Sequence, residues 1–139
     1  MQLIDARTGL ERLDREECLR LLASDEIGRL AIVDSGTPTI FPVNYVMDGE
    51  APVFRTDPGT KLDHGPHARA CFEVDSFDRV AQTGWSVIVF GRLEEVTRFD
   101  ATTHRRVREL PIEPWAGGDK QHWMRVIPDR ITGRRVAPR

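Results

Sequence analysis

The chain has 139 residues, 40% hydrophobic and 30% charged, with three Trp, six Phe and one Tyr. Such a chain makes one globular domain that buries a core, which excludes a disordered tail, a low-complexity repeat or a two-domain enzyme. A net charge of −2 gives no global attraction to nucleic acid or to anionic membranes, so neither is expected as a partner.

Cys18 and Cys71 form no CxxC pair and are too few for a disulfide framework or a four-ligand zinc site. Free thiols are the expectation. The N-terminal stretch lacks the apolar core of a signal peptide, and no run is long enough to span a bilayer. A cytoplasmic location follows as an expectation.

In chain order, Asp14 and Glu17 have capping-box spacing, and Leu13 and Cys18 stand where a hydrophobic staple would. A helix from Arg15 to Ser24 is predicted, with Cys18, Leu21 and Leu22 on its apolar face. Ile27 to Val33 reads as a strand that turns at Asp34, Ser35 and Gly36 into a second, Thr39 to Met47. Pro42 has no N–H for a ladder and marks an edge or a bulge; Asn44 is a polar residue in an apolar run.

After a turn at Asp48 to Glu50, Val53 to Thr56 is a third strand. It ends at Pro58 and Gly59, and Thr60 opens a short helix with Asp63 at capping distance. A helix N-terminus leaves N–H groups unpaired and attracts anions. Arg55, Thr56, Thr60 and Lys61 surround that point with two cations and two hydroxyls. The stretch reads equally as a phosphate seat or as a solvated, capped turn.

Ala70 to Val74 and Trp85 to Val96 are further strands, the latter with a bend or bulge at Gly91. Asp100 caps a helix to Leu110 that sets Phe99, Thr103, Val107 and Leu110 on one face. Pro111 to Asp119 is a loop. Gln121 to Ile127 and Asp129 to Val136 read as two strands broken at Pro128. The whole is mainly β, an α+β chain whose sheet curls into a small barrel with helices packed outside, one domain over residues 1–139.

GRLAIVDSGTPTIFPVNYVMDG, VFRTDPGTKL, ACFEVD and GWSVIVFGRLEEV, in that order, resemble the pyridoxamine 5'-phosphate oxidase-like flavin-binding proteins. More narrowly, they resemble the small branch that includes the nitroimidazole-resistance reductases. The likeness covers Leu13 to Val136 and implies a six-stranded split β-barrel and a homodimer with flavin mononucleotide (FMN) at the subunit interface. It also implies that Arg55, Thr56, Thr60 and Lys61 hold the flavin phosphate, that Pro42, Val43, Asn44 and Tyr45 lie along the ring, and that Trp85 to Ile88 approach from the second chain. Trp115 or Trp123 would then cover the ring or the substrate mouth. Beside these stand plainer readings: Asn44 satisfied by a bulge, Tyr45 as core, each Trp as packing, Lys120 and Arg125 as solvated charge. Many relatives have His where Arg55 stands, so nitroimidazole reduction is not carried over.

The resemblance implies an FMN-dependent oxidoreductase that passes hydride from a nicotinamide donor to a small organic acceptor, with a deazaflavin as the alternative cofactor. No catalytic acid or base is assigned, because the redox chemistry belongs to the cofactor. A flavin-binding module without turnover is the alternative from another class. His64, His67 and Asp63 read as surface residues rather than a metal site. Glu94 and Glu95 point to opposite faces of a strand and do not form an acid–base pair.

Overall fold

Alternating apolar residues drive most of the chain into strands. A computed structural model describes residues 3–5, 7–57, 68–118 and 120–138. Its elements run β1 (Leu3–Ile4), β2 (Leu10–Leu13), α1 (Arg15–Leu22), β3 (Ile27–Asp34), β4 (Thr37–Asp48) and β5 (Ala51–Thr56). They continue with β6 (Ala68–Asp78), β7 (Thr83–Glu95), α2 (Ala101–Arg108) and β8 (His122–Val136).

Every pairing is antiparallel, and six strands close in the ring β3–β4–β5–β8–β7–β6 before returning to β3. This is the expected six-stranded split barrel. β2, which sequence reading missed, pairs with Gly133 to Val136 of β8, and β1 adds to β2. Strands of two and four residues carry too short a pattern to be read.

The last strand corrects the expectation of two. β8 runs unbroken through Pro128, because the register with β7 shifts there: Phe90 faces Arg130 and Gly91 faces Pro128, leaving Asp129 as the extra residue. At such a bulge the missing N–H of proline breaks no ladder bond. Gly91 is needed opposite, since a Cβ there would lie 1.9 Å from the Ile127 carbonyl oxygen.

Leu30, Phe54, Phe72, Val74, Val87, Val89 and Val126 are fully buried within the ring, with α1 adding Cys18, Leu21 and Leu22. Asp14 caps α1 by accepting from Glu17 N at 2.9 Å. A second cluster of Val53, Val96, Val107, Ile112 and Trp123 packs α2 over β5 and β8. Asp100 caps α2 by accepting from Thr103 N at 3.2 Å. Thr103 and Val107 face inward as expected, but Phe99 is fully exposed, because it precedes the cap and lies outside the helical period.

On the outer face of β3 and β6, Arg29 Nη1 lies 3.6 Å from Glu73 and 3.8 Å from Asp75. Burial, and then the neighbouring Asp75, raise the Glu73 carboxyl to about 7 from 4.5, against the pull of Arg29. The folded chain therefore holds this proton to higher pH than the unfolded chain. Its contribution to stability is complete below pH 4.5 and is lost as pH rises to about 7;. Glu73→Gln is expected to gain about 1–2 kcal/mol over the wild type between pH 5 and pH 8, after allowance for solvent screening. Thermal unfolding of both proteins across that range tests this, and parallel curves would refute it.

Candidate functional site

The ring is split where β4 and β5 part. β4 pairs with β3 from Thr37 to Asn44 but with β5 only from Tyr45 to Asp48. Past the Tyr45–Phe54 pair, Arg55 and Thr56 stay with β8, opposite Trp123 and His122. Asn44 and Val43 on one strand and Arg55 and Thr56 on the other thus flank the opening. Pro42 lies just beyond, on the stretch of β4 that β5 does not reach, so its expected edge position holds. Two sequence segments eleven residues apart meet at one place because the β4–β5 hairpin diverges.

The segment after α2 crosses the outside of this split. Asn44 Oδ1 accepts from Trp115 N at 2.9 Å. Arg55 donates through Nε to Lys120 O at 2.8 Å and through Nη1 to Ile112 O at 3.2 Å, and its guanidinium lies 4.8 Å from the Trp123 ring centre. Arg55 therefore holds both ends of the loop, a task the sequence did not suggest. Arg108 takes up a similar position at 5.0 Å from the Trp123 ring, and the buried Trp123 Nε1 has no hydrogen-bond partner among the described residues.

A cleft of about 450 Å³ opens beside Asn44, with Met47 and Ile112 among its apolar walls and Asp25, Glu26 and Glu113 at its rim. Trp115, 70% exposed, stands at its mouth. Tyr45 also lines it, but its side chain is 2% exposed and its hydroxyl donates to Leu22 O. Burial raises the phenol above its ordinary value, with the Asp25 charge adding to the effect. Tyr45 is thus core, the plainer of its two readings, and offers a ligand chiefly its backbone.

Thr56 is buried, and Val43 is half-buried against the main core. Thr60 and Lys61 lie outside the described residues, as does the helix expected there. Trp85 packs half-buried against the main core. Of the two candidate covers, Trp115 is exposed beside the split, whereas Trp123 is 8% exposed in the second cluster and is no lid. Lys120 and Arg125 are not solvated charges: Lys120 Nζ lies 2.5 Å from Asp57 Oδ2, and Arg125 Nη2 lies 2.7 Å from Glu94 Oε1. Glu95 meets His122 Nδ1 at 2.5 Å instead, so the two glutamates point apart as expected. The signal for these pairs was absent, since each joins residues far apart in sequence.

An antiparallel ring of six strands, split between neighbours, is the architecture of the split-barrel flavin-binding proteins. The donors at the split suit such a ligand: the Arg55 guanidinium, the amide of Asn44 and the stretch of β4 without a β5 partner. The family model described as pyridoxamine 5'-phosphate oxidase matches residues 14–135, and the chain belongs to that family. An FAD binding protein from Mycobacterium smegmatis superposes with a TM-score of 0.76 at 36% identity, covering 90% of this chain and 96% of that one. An uncharacterized protein of Mycobacterium tuberculosis is 34% identical over 131 residues, 89% of this chain and 84% of its own. A proposed 5-nitroimidazole antibiotic resistance protein from Bacteroides thetaiotaomicron superposes at 0.67 with 15% identity, covering 97% of this chain and 92% of that one, a likeness of fold.

Proposed function

We propose that the chain is a flavin-dependent oxidoreductase that takes hydride from a nicotinamide donor and passes it to a small organic acceptor. The observation that carries this reading is the meeting of Asn44 and Arg55 across the split, in a chain of this family. When bound, the flavin supplies the redox chemistry. The protein's part is to seat the phosphate with Arg55, Thr56, Thr60 and Lys61, to lay Pro42, Val43 and Asn44 along the ring, and to cover it with Trp115.

The Asn44 amide nitrogen has no partner among the described residues, and in this reading it donates to a ring carbonyl. A second copy of the chain completes the site in this reading, bringing the strand that carries Trp85. Exposed Val33, Ile40 and Phe77 offer apolar surface for it;. A soluble homodimer in the cytoplasm is the setting we propose. FMN and a deazaflavin are both served by one phosphate seat, while the likeness to an FAD binding protein at 36% identity favours FAD.

The joint replacement of Arg55 and Lys61 by Ala is expected to weaken flavin retention on the order of 100-fold. Because Arg55 also holds the loop, Lys61→Ala alone serves as the control that leaves Ile112 and Lys120 anchored. Flavin content is read from visible absorbance after desalting, and unchanged content in both variants would refute the phosphate assignment. Bound flavin that nicotinamide donors fail to reduce anaerobically would instead favour a binding module.

A further inference from the structure

Alternation along β7 turns Val87 and Val89 into the ring and sets Ser86, Ile88 and Phe90 on its outer face;. The register of β6, β7 and β8 arranges that face in three cross-strand rows. Asp75, Ser86 and Arg134 make the first, with Arg12 beyond; Glu73, Ile88 and Thr132 make the second; Cys71, Phe90 and Arg130 make the third. β7 is therefore a divide. Over these rows β6 brings two carboxylates to one side, and β8 with β2 brings three guanidinia to the other.

Neither side is satisfied within one chain. Arg29, on β3, lies 3.6 Å from Glu73 and 3.8 Å from Asp75, too far for a hydrogen bond to either;. The buried Glu73 Oε1 has no hydrogen-bond partner among the described residues. Across the divide, Arg134 stands opposite Arg12, and like charges in that position destabilise a sheet.

Two copies packed face to face are related by a two-fold axis lying between the faces. An axis running across the strands would lay β6 on β6 and β8 on β8, like charge on like. An axis running along β7 lays β6 of each copy on β8 of the other and keeps every row in register. The acidic side then meets the basic side twice. Ile88 and Phe90 supply an apolar centre between these charged flanks, as at other subunit contacts.

We propose that a second copy packs on this face about a two-fold axis along β7, with Asp75 facing Arg134 of the partner subunit and Glu73 Oε1 facing Thr132 of the partner subunit. This rests on the reading above, in which the second copy brings β7 to the flavin, and it assigns the side chains that fix how the two copies meet. Stacked sheets lie about 10 Å apart, a gap that an arginine and a carboxylate reaching from opposite sides span.

Analytical ultracentrifugation in excess flavin tests the pairing. The wild type is expected to sediment as a dimer, and Asp75→Arg and Arg134→Asp should each weaken it at least tenfold, since every contact across a two-fold axis occurs twice. Mixing the two variants should restore a one-to-one dimer within about threefold of the wild-type affinity, because each offers the charge that the other lacks. Where a reversed variant fails to fold, Asp75→Asn and Arg134→Gln decide: each weakens the dimer, and the double variant is no weaker than the weaker single.

A mixture of folded reversed variants that stays monomeric overturns the proposal, as do single variants as dimeric as the wild type or strictly additive neutral ones. A dimeric, flavin-binding wild type with any of those outcomes leaves the functional reading standing without this pairing. A wild type that is monomeric in excess flavin removes both.

Discussion

Phe72→Ala is expected to lower the free energy of unfolding by about 4 kcal/mol, a large share of the roughly 5–15 kcal/mol available to a domain of this size. Phe72 is fully buried at the centre of the ring. Its ring meets Tyr45 edge-on at 4.9 Å and stacks at 6.5 Å from Phe54. Gly28 faces it so closely that a Cβ there would lie 2.2 Å from Phe72 Cζ. The ring therefore fills space that a glycine leaves, and its removal opens a cavity in a close-packed core;.

The effect should reach the split. Tyr45 is held between Phe72 and the Leu22 carbonyl, and Asn44 is the next residue along β4. Urea unfolding followed by circular dichroism measures the loss, and a change below about 1 kcal/mol would mean that the ring is not packed as described. Phe72→Leu keeps most of the volume and should cost about 1–1.5 kcal/mol.

Gly91→Ala should cost about 3 kcal/mol or more, although it adds a single methyl group. The added carbon would lie 1.9 Å from Ile127 O and 2.8 Å from Ile127 C. Both are backbone atoms of the paired strand, so no change of rotamer relieves the clash, and β7 and β8 must separate at their bulge. Gly117→Ala is the matched control, with nothing within 4 Å of the new carbon; it should stay within about 0.5 kcal/mol of the wild type. Equal stabilities for the two variants would show that the close approach at Gly91 does not exist.

Several features needed only the sequence, because their physics is local. Asp14 and Asp100 cap helices through N–H groups three residues on. Gly91 marked an irregularity within one long strand, and Pro42 marked the stretch of β4 that lacks a β5 partner. The order of β3 to β7 and the family likeness were also legible, since alternation and turn residues repeat along the chain regardless of what packs against them.

Tertiary structure alone decided who meets whom. Pro128 looked like a strand break because its missing N–H is a local fact, whereas the bulge that accommodates it depends on the register of β7. Arg55 read as one wall of an anion seat, and only the fold shows that it also spans 57 and 65 residues of chain to reach the carbonyls of Ile112 and Lys120. Tyr45, Lys120 and Arg125 found their partners the same way, once the ring had closed. Alternation along a strand says which face a side chain takes, but the partner on that face is set by a closure to which every strand contributes.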